Sequence, residues 1–398
     1  MTSWPEQTPT AAYLHIPFCQ QKCTYCDFIS FAARGRDCQQ AYVAALLREI
    51  GIVAANRRLL PGGRPLPLRS VFVGGGTPTV LPADDLARLL AQLRACFGLA
   101  PDCECTVEAN PGTVSEQALQ TLSAAGFNRI SFGLQAVQPH LLHLLGRIHQ
   151  AGDLAAGVQA ARSAGFGNIN VDLLFGLPGQ TIQDVDETLD FVLDLPVAHL
   201  SFYGLILEEG TPLAAAEARG QVRLPDDALE RRQYHRIRRR LAGQGFVHYE
   251  ISNSARPGYA CRHNLVYWQG LPYYGFGLAA HSYADGLRLA NPSDLDRYLA
   301  ACRRGAAGPA GWPAAVVNEQ VDRQEAMREM LLLGLRLIRG VRDRDFQARF
   351  GISLFERFAA PLADLRRQNL IVVSGDRVRL SRRGLDLANQ AFGAFIGA

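Results

Sequence analysis

Three cysteines near the amino terminus have a spacing that could hold a metal cluster. Cys19, Cys23 and Cys26 form a C-x3-C-x2-C motif, directly after a short apolar run at residues 11–16. A [4Fe–4S] cube is usually held by four cysteines. Three local thiolates would therefore leave one iron open to a substrate or cofactor, and the spacing favours an iron–sulfur cluster of this kind.

A zinc site and simple burial both fit the motif less well. A structural zinc site needs a fourth ligand, and the nearest further cysteine, Cys38, lies in the predicted following helix. The cysteines are also poor candidates for buried core residues, because polar Gln, Lys, Thr and Asp residues flank them.

Polar side chains and glycines follow several apolar, strand-like segments. A glycine triplet at 74–76 follows one such segment, Glu108 ends the next, and Gln135 and Arg147 come after a third. Asp172 interrupts a fourth, where an unpaired acid is costly. Each feature alone fits a tight turn or a structural salt bridge. Their shared placement at strand ends favours a site for a polar ligand.

The elements that must position these residues alternate along the first half of the chain. Predicted strands lie at 11–16, 70–73, 105–109, 128–133, 168–175 and 199–206, and predicted helices at 37–55, 84–96, 115–125, 139–145 and 182–193. Parallel strands need long connections, so this alternation predicts an α/β fold with a parallel sheet, either doubly wound or an open barrel. Both architectures place chemistry at the carboxyl ends of the strands.

Composition excludes several classes of function. The formal charge of +4, from 41 basic and 37 acidic residues, gives no reason to expect nucleic-acid binding. The nine cysteines show no disulfide framework, which predicts a reducing, cytoplasmic location. Residues 1–10 are polar, lack signal-peptide features and are predicted to be a flexible tail, and no apolar run predicts a transmembrane helix.

The second half of the chain has a different pattern. Residues 207–225 are predicted to be loop and linker, and an arginine-rich helix at 226–242 is predicted to expose a solvated face. An aromatic segment then carries Cys261, His263 and His281. Packed aromatics favour a core or an interdomain contact, and together with imidazoles they equally favour a site for a flat, apolar, metal-bearing ligand.

The carboxyl-terminal part is predicted to be helical to about residue 368 and to end in a hairpin at 370–373 and 377–380. This order is typical of winged-helix modules, and the lack of a basic recognition helix favours packing or protein contact over DNA contact. The predicted domains are a tail at 1–10, a core at 11–242, an aromatic connecting region at 243–315 and a helical domain at 316–398.

Seven segments together resemble a known family. They are residues 13–28, 74–78, 107–112, 129–135, 170–181, 249–253 and 263–268. The chain resembles, over about residues 11–390, the radical S-adenosylmethionine (SAM) haem chaperones of the HemW group, relatives of the oxygen-independent coproporphyrinogen III oxidases. The resemblance implies a partial (β/α)6 barrel followed by a HemN-type helical and winged domain.

The resemblance also implies cofactors and their ligands. Cys19, Cys23 and Cys26 would hold a [4Fe–4S] cluster whose open iron binds SAM. The residues implied to contact SAM are Tyr13, Tyr25, Gly75, Gly76, Thr77, Glu108, Gln135, Arg147 and Asp172. For haem, His263 is the first candidate for the axial ligand, followed by His281 and Cys261.

Two functions compete within this resemblance. A carrier would bind haem as cargo and pass it to an unidentified acceptor protein, a respiratory-chain component being one candidate. An enzyme would cleave SAM and oxidatively decarboxylate coproporphyrinogen. The oxidases carry a fourth cysteine where this chain has Phe28, and a longer extension before the motif. The segment 263–268 is typical of the chaperones, so the carrier is favoured, as a monomer or homodimer.

Overall fold

The computed structural model describes residues 8–32, 34–57, 66–306, 308 and 311–396. The first seven residues of the predicted tail lie outside the described residues. The strands are β1 (Ala11–Ile16), β2 (Phe18–Cys19), β3 (Phe31–Ala32), β4 (Leu68–Gly75), β5 (Leu99–Ala109), β6 (Arg129–Gln135), β7 (Asn168–Phe175), β8 (His199–Gly204), β9 (Val247–Glu250), β10 (Asn253–Ala255), β11 (Tyr274–Phe276), β12 (His281–Ala284), β13 (Leu287–Ala290), β14 (Val316–Gln320), β15 (Val341–Arg342), β16 (Ile371–Ser374) and β17 (Arg377–Leu380). The helices are α1 (Arg36–Arg57), α2 (Ala83–Phe97), α3 (Glu116–Ala125), α4 (Pro139–Leu144), α5 (Ala151–Ser163), α6 (Ile182–Leu193), α7 (Pro212–Ala218), α8 (Asp227–Gly243), α9 (Arg262–Trp268), α10 (Leu295–Arg304), α11 (Arg323–Gly334), α12 (Asp343–Phe350), α13 (Leu354–Arg357), α14 (Ala359–Arg367), α15 (Arg382–Asp386) and α16 (Ala388–Gly393).

The six predicted strands lie side by side in one parallel sheet. The sheet has nine strands in the order β11-β1-β4-β5-β6-β7-β8-β10-β9, and the central run from β1 to β8 is parallel throughout. This confirms the predicted strand–helix alternation. The connecting region supplies both edges, since β11 pairs with β1 and β10 pairs with β8.

One face of the sheet is apolar and packs against helices. In α2, Leu86, Leu89, Leu90, Leu93 and Phe97 are buried at the spacing of one helical face. Each such side chain stabilises the fold by about 1.5–3 kcal/mol when fully buried. The parallel strands and the helices that cross over between them form the partial (β/α)6 barrel that the resemblance implied.

The other face is polar and forms the interior of the partial barrel. Ser131 of β6 donates a hydrogen bond to Asp172 of β7 at 2.9 Å, and Asn170 of β7 accepts one from Ser201 of β8 at 3.2 Å. Helix α9 closes this interior by packing on β4, where His263 contacts Ser70. Buried polar groups need partners, and here neighbouring strands supply them.

Several of the described helices were not predicted, namely α5, α7, α9, α10, α15 and α16. Helix α5 begins with a capping box formed by Gln150 and Asp153, and it buries only three side chains, so its apolar spacing is faint in the sequence. Helix α7 lies in the segment predicted to be loop and linker, and that prediction was wrong. Thr211 caps α7 and Pro212 occupies its first turn, a common start for a helix.

The carboxyl-terminal domain has its own hydrophobic core. The predicted hairpin is confirmed as β16 and β17, which are antiparallel with Ile371 opposite Leu380, and β15 joins β17 as a third strand. The winged-helix comparison and the domain boundaries stay predictions. No described helix is long and apolar enough to cross a membrane.

A buried carboxylate fixes the connecting region to the barrel. Glu49 of α1 is fully buried and accepts hydrogen bonds from the Gly277 amide at 2.8 Å, the Asn291 amide at 2.6 Å and the Tyr298 hydroxyl at 2.7 Å. Gly277 directly follows β11, Asn291 directly follows β13, and Tyr298 lies in α10. One side chain therefore holds three separate segments against the barrel.

Candidate cluster and cofactor site

A cavity of about 350 Å³ opens at the carboxyl ends of the parallel strands. Its walls include most of the residues that the sequence singled out for a cluster and for SAM. They are Cys19, Cys23, Tyr25, Cys26, Gly75, Gly76, Thr77, Glu108, Gln135, Arg147 and Asp172. Tyr13 is the exception, because it lines a neighbouring cavity.

The cysteine loop is clamped at both ends. The Gly76 amide donates to the Ile16 carbonyl at 2.9 Å, and the Thr77 amide donates to the Phe18 carbonyl at 2.8 Å. The hydroxyl of Thr24 donates to the Leu144 carbonyl at 2.8 Å. The glycine is required here, since a Cβ on residue 76 would lie 2.6 Å from the Phe18 carbonyl oxygen and 2.9 Å from the Cys19 sulfur.

The three thiols have the character of ligands for a cluster. All three are partly exposed and free of disulfides. In the part of the chain that the structure describes, no three His, Cys, Asp or Glu side chains are close enough to hold a single metal ion. A multi-iron cluster, in which each thiolate binds a different iron, fits this open arrangement.

A hydrogen-bond chain joins Cys19 to Tyr25 around the cavity. The Thr77 hydroxyl donates to the Cys19 sulfur at 3.8 Å, and the Asn110 amide donates to the Thr77 hydroxyl at 2.9 Å. Arg147 donates to the side-chain oxygen (Oδ1) of Asn110 at 2.6 Å and to the Tyr25 hydroxyl at 3.0 Å. Asn110 was not predicted as a site residue, although it lies in the 107–112 motif.

Two half-buried carboxylates, Glu108 and Asp172, line the cavity. Asp172 accepts hydrogen bonds from Ser131 and Asn170, and Glu108 accepts one from the Gly75 amide at 3.1 Å. Burial, and then the nearby charge of Asp172, raises the pKa of Glu108 to about 8. A positively charged ligand beside Glu108 would favour its ionised form and so lower this pKa.

Gln135 has an unusual backbone. Its φ of 73° lies in the left-handed region that favours glycine, although the side chain lines the cavity. Strain of this kind costs on the order of 1–3 kcal/mol and is concentrated at functional sites. The bend turns the end of β6 so that an amide side chain faces the cavity.

A second cavity, of about 420 Å³, adjoins the cysteine loop. It is lined by Tyr13, His15, Asp27, Phe28, Ile29, Tyr267, Tyr273, Ala279, Ala280 and His281. Phe28 lines both cavities and is 60% exposed. We call this second space the His281 cavity.

The three candidate haem ligands are not together. His281 is exposed on the wall of the His281 cavity, whereas His263 and Cys261 are buried. The ring nitrogens of His263 bond Ser70 at 3.1 Å and the Tyr267 hydroxyl at 2.9 Å, and burial lowers its pKa to about 3. Cys261 donates to Glu104 at 3.5 Å. His281 is therefore the best placed of the three.

Comparison with known proteins identifies the family. The chain is 36% identical to Heme chaperone HemW of Bacillus subtilis over 388 residues, covering 97% of this chain and 99% of that protein. It is 38% identical to Heme chaperone HemW of Mycobacterium tuberculosis over 391 residues, covering 98% and 95%. The chain belongs to the Heme chaperone HemW family. Membership in HemW confirms the resemblance drawn from the seven segments.

Family models and a solved structure agree with the HemW assignment. Residues 13–192 match the Radical SAM superfamily, and residues 321–387 match the HemN C-terminal domain. The solved structure of coproporphyrinogen III oxidase (HemN) from Escherichia coli, described as a radical SAM enzyme, aligns with a TM-score of 0.80 at 23% identity. It covers 99% of this chain and 91% of that one. At this identity the likeness shows the shared fold.

Proposed function

We propose that the protein is a haem chaperone that binds haem and transfers it to an acceptor protein. The His281 cavity supports this proposal most directly, because an exposed histidine and aromatic side chains line it beside the cysteine loop. Haem is a flat apolar group whose iron takes an axial histidine. The relatives named Heme chaperone HemW support the same function.

The cysteine loop would hold a [4Fe–4S] cluster on Cys19, Cys23 and Cys26, and the adjoining cavity would hold SAM. When bound, such a cluster can chelate SAM at its open iron and supply an electron to it. Gly75 and Gly76 let the ligand approach the backbone, because neither carries a Cβ. Glu108 and Asp172 would balance positive charge, and Arg147 would be held in place by Asn110.

An oxygen-independent coproporphyrinogen III oxidase is the second candidate. It is favoured by the fold shared with HemN and by the polar cavity at the strand ends. Against it, Phe28 occupies the position where the resembled oxidases carry a fourth cysteine, and its exposed ring lies between the two cavities. A cytoplasmic location, a respiratory-chain acceptor and a monomeric or homodimeric state belong to the proposal.

Haem titration of the anaerobically reconstituted protein tests the carrier function. Haem should give a saturable Soret band that His281→Ala weakens or shifts. His263→Ala should act less strongly, because His263 reaches the cavity only through the Tyr267 hydroxyl. His140→Ala is the matched control, since His140 is an exposed histidine on α4. Absence of a saturable band, or an equal loss in the His140 variant, would contradict the proposal.

A further inference from the structure

A cleft of about 480 Å³ lies between the end of helix α9 and the carboxyl-terminal domain. It lies apart from both cavities described above and shares no residue with them. Its apolar wall consists of Trp268, Leu271, Met330, Leu337 and Val341. The volume falls within the range of small-molecule sites, about 300–1,000 Å³. We call it the Trp268 cleft.

The rim of the Trp268 cleft is strongly basic. Arg339, Arg342, Arg349 and Arg377 line it, against one carboxylate, Asp345. Arg342 and Arg377 stand directly opposite each other on the antiparallel strands β15 and β17. Like charges in opposite positions destabilise a sheet, so this pair favours an anion between or beside them.

Three of the four rim arginines have no carboxylate partner among the described residues. Among the described residues, Arg339, Arg342 and Arg377 form no ion pair with a carboxylate. Arg377 donates to the Arg339 carbonyl, at 2.7 Å. The charges are therefore available to a bound ligand with carboxylate groups.

Trp268, which lines the cleft, carries a polar atom without a partner among the described residues. The indole nitrogen of Trp268 is buried and has no hydrogen-bond acceptor within the described part of the chain. Arg336 stacks over the same ring at 4.3 Å. Arg349 donates to the carbonyls of Gln269 and Gly270 at 3.4 and 2.9 Å, which fixes α12 against the end of α9. The contacts of Arg336 and Arg349 therefore hold two walls of the cleft in place.

We propose that the Trp268 cleft binds a flat apolar ligand that carries two carboxylates, and that this ligand is a tetrapyrrole. The apolar wall takes the ring system, and Arg342 and Arg377 take the carboxylates as charge-assisted hydrogen bonds. The choice of a tetrapyrrole as the ligand rests on the proposed function. The shape and charge of the cleft, by contrast, are observed independently of that function. The cleft gives the protein a second tetrapyrrole site, separate from the His281 cavity.

An iron-free porphyrin tests the cleft without the His281 cavity, because it has no metal for a histidine to bind. Deuteroporphyrin IX, which has two propionates, is titrated into the reconstituted protein while tryptophan fluorescence is measured. Quenching should saturate in the wild type, and each of Arg342→Gln and Arg377→Gln should weaken binding about tenfold. Arg366→Gln is the matched control, since Arg366 is exposed in the same domain and lies outside the cleft.

Three further arms use wild-type protein or a distant variant, and so do not depend on how the arginine variants fold. The dimethyl ester of the porphyrin should bind at least tenfold more weakly, because it lacks both charges. His281→Ala should leave the affinity for the iron-free porphyrin unchanged, even where it alters the haem spectrum. This variant therefore distinguishes failure of the Trp268 cleft from failure of the proposed function. Dodecanoate should not displace the porphyrin at matched concentration. Equal binding of the ester, displacement by dodecanoate, or equal loss in Arg366→Gln would overturn the proposal.

Discussion

Lowering the pH from 8 to 6 should weaken SAM binding by about 50-fold through Glu108 alone. Without ligand the pKa of Glu108 is about 8, because of burial and then the charge of Asp172. A cationic ligand beside it stabilises the ionised form, so the carboxyl must lose its proton on binding. The fraction that carries this proton rises from half at pH 8 to nearly all at pH 6. The resulting loss of affinity is about 2.3 kcal/mol.

Anaerobic calorimetric titration at both pH values measures this effect, with two buffers of different ionisation enthalpy to count the released proton. Glu108→Gln is the decisive variant, because it cannot titrate. The amino group of SAM releases its own proton in both proteins, so the difference between them isolates Glu108. If both proteins show the same pH dependence and the same proton release, the reasoning about this site is refuted.

The same pKa has a consequence for stability. The pKa of Glu108 in the folded protein lies above the usual value of 4.5. Between pH 4.5 and about 8, Glu108 therefore keeps a proton in the folded protein without SAM that it has lost in the unfolded chain. This extra proton contributes to the free energy of unfolding, fully below pH 4.5, and the contribution is lost as the pH rises through about 8. SAM should therefore raise the melting temperature more at pH 8 than at pH 6. An equal shift at both pH values would contradict this.

Three other predictions follow from single residues. Cys19→Ala should abolish the cluster absorbance and EPR signal while Cys38→Ala keeps both, and loss in Cys38→Ala alone would contradict the ligand assignment. Asn110→Ala should weaken SAM binding about tenfold with the cluster retained, because Arg147 loses its anchor; unchanged affinity by EPR titration would count against the hydrogen-bond chain. Glu49→Ala removes the acceptor of the Gly277 amide and the Tyr298 hydroxyl, and leaves the Asn291 amide with the Gly277 carbonyl alone. It should lower the unfolding free energy by about 3 kcal/mol in urea, and a loss below about 1 kcal/mol would contradict its anchoring role.

The sequence predicted the central fold and the grouping of polar residues at the strand ends, for a physical reason. Buried parallel strands are apolar throughout, so the six strands stood out, and a polar residue such as Asp172 inside one of them is costly enough to be informative. The cysteine spacing and the glycine loop are local features that need no knowledge of distant contacts. The structure brings Glu108, Gln135 and Arg147 to the same cavity as the cysteines.

Features that depend on distant partners were missed. Strands β10 and β11 have only three residues each, and their pairing with β8 and β1 has no local signal. Asn110 gained its role from Arg147 across 37 positions of the chain. Histidine as a residue type says nothing about burial, so His263 ranked above His281 until the contacts with Ser70 and Tyr267 were known.

The most direct test of the haem chaperone function combines two measurements on one anaerobic, cluster-loaded, SAM-replete sample. Haem is titrated into one half, and the other half receives coproporphyrinogen III with a reductant. We expect a saturating Soret band in the first half and no decarboxylated product in the second. SAM-dependent turnover of coproporphyrinogen without saturable haem binding would contradict it and establish the oxidase instead.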